Sequence, residues 1–237
     1  HTLHDVHPTV RVCAARALMG IGDAHTLPRK VLADTRLSPH RRARTLEALP
    51  WLDQCKTEVA AGQYLDALAQ ARGTFNVEHA MLVVRFKSAK YTVERPLHLG
   101  AALAGASPAL IEALSALALP LGEAFQLRDD VLGVFGDPTV TGKPAGDDLR
   151  EGKTTVLVAK AAELGTDADR TAIRALLGTS AGVTELTTLI ERTGALAAVE
   201  ADIDRLEKVA DTALAALPVG SEDVLGALVR SATRRDR

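Results

Sequence analysis

The chain has 237 residues, of which 47% are apolar and only 3% aromatic, and its net charge is −2. That is enough apolar material for a sizeable core, and the near-neutral balance points to neither nucleic acid nor an anionic membrane surface as a partner. Ala and Leu dominate, which favours helices, because strands prefer β-branched and aromatic side chains. No uninterrupted apolar run approaches the ~20 residues of a membrane span, and no secretory signal is visible. Cys13 and Cys55 have neither CxxC spacing nor a His cluster beside them, and read as core thiols of a reducing, cytoplasmic compartment.

In chain order, Pro8 suits a first helical turn and residues 10–18 continue it until Gly20 and Gly22 break it. Residues 27–32 read as a short helix. Ser38-Pro39 is an N-cap followed by proline at the first helical position. The helix it opens runs to Gly73, with Pro50 as a possible kink and Gly62 in its middle. Asn76 caps the next helix, interrupted at Pro96 and resumed to about Leu103. Ser107-Pro108 repeats the start signal, and a helical period then runs through Leu110, Leu114, Leu117, Leu121 and Phe125 to Val131. Residues 136–153, punctuated by Gly and Pro, read as loop. Helices follow over 155–162, from Thr166 or Asp167 to about Leu177, and over 183–192, 195–217 and 223–233. Without strand alternation, internal repeat or compositional break, the expected fold is all-α, one domain over 1–237.

Four stretches could carry chemistry, although each alone is also read as ordinary structure. Asp129 and Asp130 are adjacent carboxylates in an apolar helix, with Gln126 three and four residues before them on the same face. Adjacent carboxylates repel, and a divalent cation is the usual remedy; the alternative is a charged turn facing water. The loop from Gly142 to Lys153 offers Lys143 and Lys153 as point charges for phosphate, yet has the spacing of neither a Walker loop nor a Rossmann turn. Lys87-Ser88-Ala89 lies on the second helix, where a lysine can also simply reach the surface. Gly62-Gln63-Tyr64-Leu65-Asp66 places Gln63 and Asp66 on one face beside a glycine that permits close helix approach.

In this order the four stretches resemble the trans-isoprenyl diphosphate synthases, in particular the bacterial geranylgeranyl diphosphate synthases. The resemblance is good over residues 42–162 and looser beyond, and the stretch from Phe125 to Lys153 is the most specific. It implies a bundle of long antiparallel helices around a deep central cavity, and a homodimer. It implies condensation of an allylic diphosphate with isopentenyl diphosphate through an allylic cation, with three Mg²⁺ ions bridging the diphosphate to two Asp-rich motifs. The proton is then lost to the departing diphosphate, and no protein nucleophile is required. On this resemblance Asp129 and Asp130 hold metal and Gln126 supports the allylic diphosphate. Lys87, Lys143 and Lys153 contact the leaving group, Ser88 stands near the reacting carbon, and Gln63 lies on the cavity wall. The alternative is a non-catalytic, synthase-like subunit that modulates a catalytic partner.

Two departures from the family pattern stand out. The second Asp-rich motif has Gly133 where a third acid is expected, and Asp137 comes later. The first motif is represented only by His4-Asp5 before Pro8-Thr9, with its middle and the family's earlier helices missing. Asp5 is the expected remnant of that metal site; a stretch missing between Asp5 and Val6 is the expected explanation, and a protein that truly lacks the motif is the alternative.

Overall fold

The structure, a computed structural model, describes residues 38–142, 144–218, 225–227 and 229. The expected helices at 10–18 and 27–32, along with Cys13, lie outside these residues, as does most of the one at 223–233. Among the described residues the fold is all-α, with no strand.

Helix α1 spans Pro39–Arg72. Ser38 caps it as expected, its hydroxyl accepting the Arg41 backbone N–H at 3.3 Å. Gly73 closes it in the left-handed region, φ 57°, returning its N–H to the Ala69 and Gln70 carbonyls. Pro50 lies inside α1 without ending it. Helix α2, Val77–Val83, is capped by Asn76 and runs directly into a π-helical segment, Val84–Glu94, and then into α3, Arg95–Ala104. The sequence pattern predicts an α-helix here, and the eleven-residue π segment corrects it. Its wider i→i+5 turns leave no distinctive residue pattern, and such segments gather at functional sites.

Helix α4, Pro108–Phe135, is the central element, packed on one side against the π segment and on the other against the long C-terminal helix. Its length and apolar content would allow a membrane crossing, which the sequence reading did not anticipate. Leu114, Leu117, Leu121, Leu127 and Val131 are nevertheless fully buried against other helices, and Glu123, Arg128, Asp129 and Asp130 lie along it. It is therefore the bundle's core helix. Two short helices, α5 at Pro138–Thr141 and α6 at Asp147–Arg150, interrupt the expected loop. Helices α7 (Val156–Leu164), α8 (Asp167–Leu176), α9 (Val183–Arg192) and α10 (Ala195–Ala215) complete the order. They pack their apolar faces with the C-terminal half of α4 into one cluster of buried Leu, Val, Ile and Ala. The N-terminal half of α4 forms a second cluster with α3 and the end of α10.

Two glycines fix the π segment between its neighbours. A Cβ on Gly62 of α1 would lie 2.5 Å from the Lys87 backbone nitrogen, and one on Gly122 of α4 would lie 2.7 Å from the Ala89 Cα. Only glycine permits backbones this close. The close approach read from Gly62 in mid-helix is therefore present, and its partner is the backbone that carries Lys87.

Candidate active site

The squeezed π segment presents Lys87 and Ser88 to a cleft of about 180 Å³. Asp66 enters this cleft from α1, Gln126 and Asp130 from α4, Asp148 from α6, and Lys153, Thr154 and Thr155 from the turn before α7. The apolar part of its wall is Ala80, Val83, Val84 and Val156. Five of the residues singled out in the sequence thus meet in one place: Lys87, Ser88, Gln126, Asp130 and Lys153.

Each lysine is held by a carboxylate. Lys87 Nζ donates to Asp66 Oδ2 at 2.5 Å, across the gap that Gly62 keeps narrow. Lys153 Nζ donates to Asp148 Oδ1 at 2.5 Å and lies 2.9 Å from Glu151 Oε2. Burial alone would lower the Lys153 pKa, but the hydrogen bonds to Asp148 and Glu151 outweigh it and hold the ammonium charged far above neutrality. A lysine ammonium has three N–H bonds, so these contacts leave donors for a further anion in the cleft.

The predicted Gln126–Asp130 face is real, with Gln126 Nε2 donating to Asp130 Oδ1 at 2.8 Å. Burial pushes the Asp130 carboxyl up to about 7, and the nearby Asp148 and Asp129 carboxylates push the same way. The Gln126 hydrogen bond and Lys153 offset only part of this. The two lysines of the cleft are engaged by Asp66 and Asp148, and Asp130 is left with an amide as its hydrogen-bond partner. Among the described residues no three His, Cys, Asp or Glu side chains close around a single point. An open set of one or two carboxylates is what Mg²⁺ takes when phosphate oxygens and water complete its shell, so Asp130 with Asp129 and Asp148 beside it fits that ion.

Other sequence expectations fall elsewhere. Gln63 is exposed on α1 and does not line the cleft. Asp129 is half-buried next to the cleft and acts on Asp130 through its charge rather than by lining it. Asp137 caps α5, accepting the Thr139 N–H at 2.8 Å, which is a structural role. Asp5 and Lys143 lie outside the described residues.

Asp66, and Asp148 within the loop from Gly142 to Lys153, carry no assigned role in the sequence reading, and both prove to be lysine partners. The absent third acid has an explanation as well: a Cβ on Gly133 would lie 2.3 Å from Asp148 Oδ2. The space beside Gly133, one helical turn beyond Asp129 and Asp130, is filled by an acid from α6. The Asp-Leu pair four residues before Gly152-Lys153 was the available signal.

Comparison with known proteins agrees with this geometry. The family described as polyprenyl synthetase matches residues 25–192. The geranylgeranyl diphosphate synthase of Mycobacterium tuberculosis is 34% identical over 197 residues, 81% of this chain and 55% of that protein. The geranylfarnesyl diphosphate synthase of Aeropyrum pernix is 34% identical over 142 residues, 60% of this chain and 44% of that protein. The chain therefore spans about half the length of these curated relatives. Among solved structures, a geranylgeranyl pyrophosphate synthase from Corynebacterium glutamicum, complexed with isoprenyl diphosphate and magnesium, superposes with a TM-score of 0.76 at 45% identity. It covers 84% of this chain and 57% of its own.

Proposed function

Because this chain belongs to the polyprenyl synthetase family, we propose that it is a prenyltransferase joining an allylic diphosphate to isopentenyl diphosphate with the help of Mg²⁺. The observation that carries this reading is the convergence of Lys87, Ser88, Gln126, Asp130, Asp148 and Lys153 on one cleft. Two cationic donors face the buried Asp130 and the half-buried Asp148, the arrangement a metal-bound diphosphate needs.

In this reading Asp130, with Asp129 and Asp148 beside it, holds Mg²⁺, and Gln126 orients Asp130. Mg²⁺, when bound, supplies positive charge that stabilises the departing diphosphate. Lys87 and Lys153 share that work. Their carboxylate partners hold each ammonium in place, so little reorganisation accompanies the charge that develops. Ser88 follows Lys87 on the π segment and places a hydroxyl at the cleft wall, next to where the allylic carbon would lie. Val83, Val84 and Val156 keep that carbon away from water.

The product proposed is geranylgeranyl diphosphate, supported by the 45% identity to the Corynebacterium glutamicum protein. The proposed assembly is a homodimer, and the number of Mg²⁺ ions proposed is three. Incubating the protein with Mg²⁺, isopentenyl diphosphate and farnesyl diphosphate, then separating the products by chain length, tests the reading. A C20 diphosphate is expected. A longer product overturns only the assigned length. No elongation, with diphosphate binding retained, supports a non-catalytic subunit instead.

A further inference from the structure

The π segment carries Lys87 and Ser88 into the cleft, and it is pressed between α1 and α4. Gly62 and Gly122 set how closely it lies against each helix. A glycine contact fixes distance but not register, because a bare backbone surface offers a neighbouring helix nothing directional to grip. Register has to come from side chains.

On the α1 side it comes from a stripe with four-residue spacing. Glu58 accepts from Lys90 at 2.9 Å, Gly62 meets the Lys87 backbone, and Asp66 accepts from Lys87 Nζ. On the α4 side, Arg85 Nε donates to Glu123 Oε1 at 2.6 Å. Glu123 directly follows Gly122, and Ala89, which meets Gly122, lies four residues after Arg85. The segment is thus fastened to α4 at two points roughly one turn apart, with Lys87 midway between them in the chain. Glu123 also stands three residues before Gln126 and seven before Asp130, on the same face of α4. That face holds the segment through its first acid and supplies the cleft with Gln126 and Asp130. Neither Arg85 nor Glu123 lines the cleft itself.

The burial of the pair is lopsided. Glu123 is 5% exposed, whereas the Arg85 side chain is 45% exposed. A carboxylate buried in the core helix is costly to desolvate, and an apolar pair of similar size would hold the two helices together as well or better. What an ion pair adds over an apolar one is direction, and fixing register is the best-attested use of a buried one. A slip of one residue along α4, about 1.5 Å of rise, takes Arg85 off Glu123 and carries Lys87 with it.

We propose that Arg85 and Glu123 are positioning residues, whose ion pair fixes the register of the π segment on α4 and so sets Lys87 against the diphosphate. The proposal rests on the reading of the cleft as a diphosphate site. The pair touches no substrate and acts through Lys87.

The test replaces both partners by apolar chains of similar length, Arg85→Met with Glu123→Met, in the parent and again in Lys87→Ala. Calorimetry reads the Mg²⁺-dependent affinity for inorganic diphosphate, a product assay reads elongation kcat, and thermal melting reports the fold. The double replacement is expected to melt close to the parent. Its diphosphate affinity and kcat are expected to fall about tenfold, the scale of a modest misplacement. In the Lys87→Ala background the same replacement is expected to change the affinity less than about twofold, because the group it positions is gone. Glu123→Gln, which still accepts from Arg85 Nε, is expected to keep most of the affinity. Parental affinity and kcat in the folded double replacement overturn the proposal, and so does a loss of equal size with and without Lys87. Should the double replacement not fold, Arg85→Gln, a change at the half-exposed partner alone, is put through the same cycle and judged by the same outcomes. A parent that binds diphosphate without elongating farnesyl diphosphate overturns the prenyltransferase reading alone, and the affinity cycle still decides this proposal. A parent that binds no diphosphate overturns both.

Discussion

Gly133 and Asp148 compete for one volume: a Cβ on the glycine would lie 2.3 Å from the aspartate's Oδ2. The apparent gap in the second Asp-rich motif is where an acid from α6 packs against α4. Supplying the expected acid by Gly133→Asp should therefore not improve the protein. It should push Asp148 aside, release Lys153, and lower kcat by roughly 10²-fold, the scale of a displaced catalytic group. Steady-state elongation kinetics with circular dichroism as the fold control provide the measurement. Activity equal to or above the parent would show that Asp148 has no part in the site.

The lysines and their partners should separate by effect. Lys87→Ala removes a donor aimed at the leaving diphosphate and should cost about 10²–10³ in kcat. Asp66→Asn leaves the ammonium in place but loosens its anchor, and should cost less than Lys87→Ala. Equal losses in the two variants would mean that Asp66 does more than hold Lys87.

Packing at the two glycines is the third point of attack. Gly62→Ala and Gly122→Ala each force a methyl against the backbone of the π segment, at 2.5 and 2.7 Å. Overpacking of this kind costs about 1–3 kcal/mol, or several degrees of melting temperature at about 2–4 °C per kcal/mol in a chain of this size. Gly62→Ala should also depress activity, because the backbone it meets is that of Lys87. Differential scanning calorimetry and elongation kinetics on the same samples would show both effects. An unchanged melting temperature would contradict the close approach.

Much of this fold could be read in the chain itself, for identifiable reasons. Ser38-Pro39, Asn76 and Ser107-Pro108 mark helix starts through side chains that bond the first free N–H groups, and such local signals survive folding. Gln126 and Asp130 follow from helical periodicity alone. What could not be read depends on contacts between distant segments. The π segment has no sequence signature, Asp66 and Asp148 become lysine anchors only once α1 and α6 are docked, and the exposure of Gln63 follows from the rotation of α1. The buried network around Glu58 and Arg95 also joins residues 37 positions apart.

That network should show itself in the pH dependence of stability. Burial alone would raise the Glu58 pKa, but the hydrogen bonds from Arg95 and Lys90 outweigh it and hold the pKa at about 2, against 4.5 for the free side chain. The folded pKa is depressed, so this stabilisation is fully present above about 4.5 and is lost as the pH falls through about 2. Glu58→Gln should lower the melting temperature at pH 7 and flatten its fall between pH 4.5 and 2. A variant with the parent's slope over that interval would remove Glu58 as a source of the acid sensitivity.

The account stands or falls on whether the cleft between Lys87 and Asp130 takes a diphosphate together with Mg²⁺. Titrating farnesyl diphosphate into the protein by calorimetry, with Mg²⁺ and again with excess chelator, measures this directly. Binding is predicted to require Mg²⁺ and to weaken at least tenfold in both Asp130→Asn and Lys153→Ala. Binding that is indifferent to chelator, or that is unchanged in both variants, would contradict it.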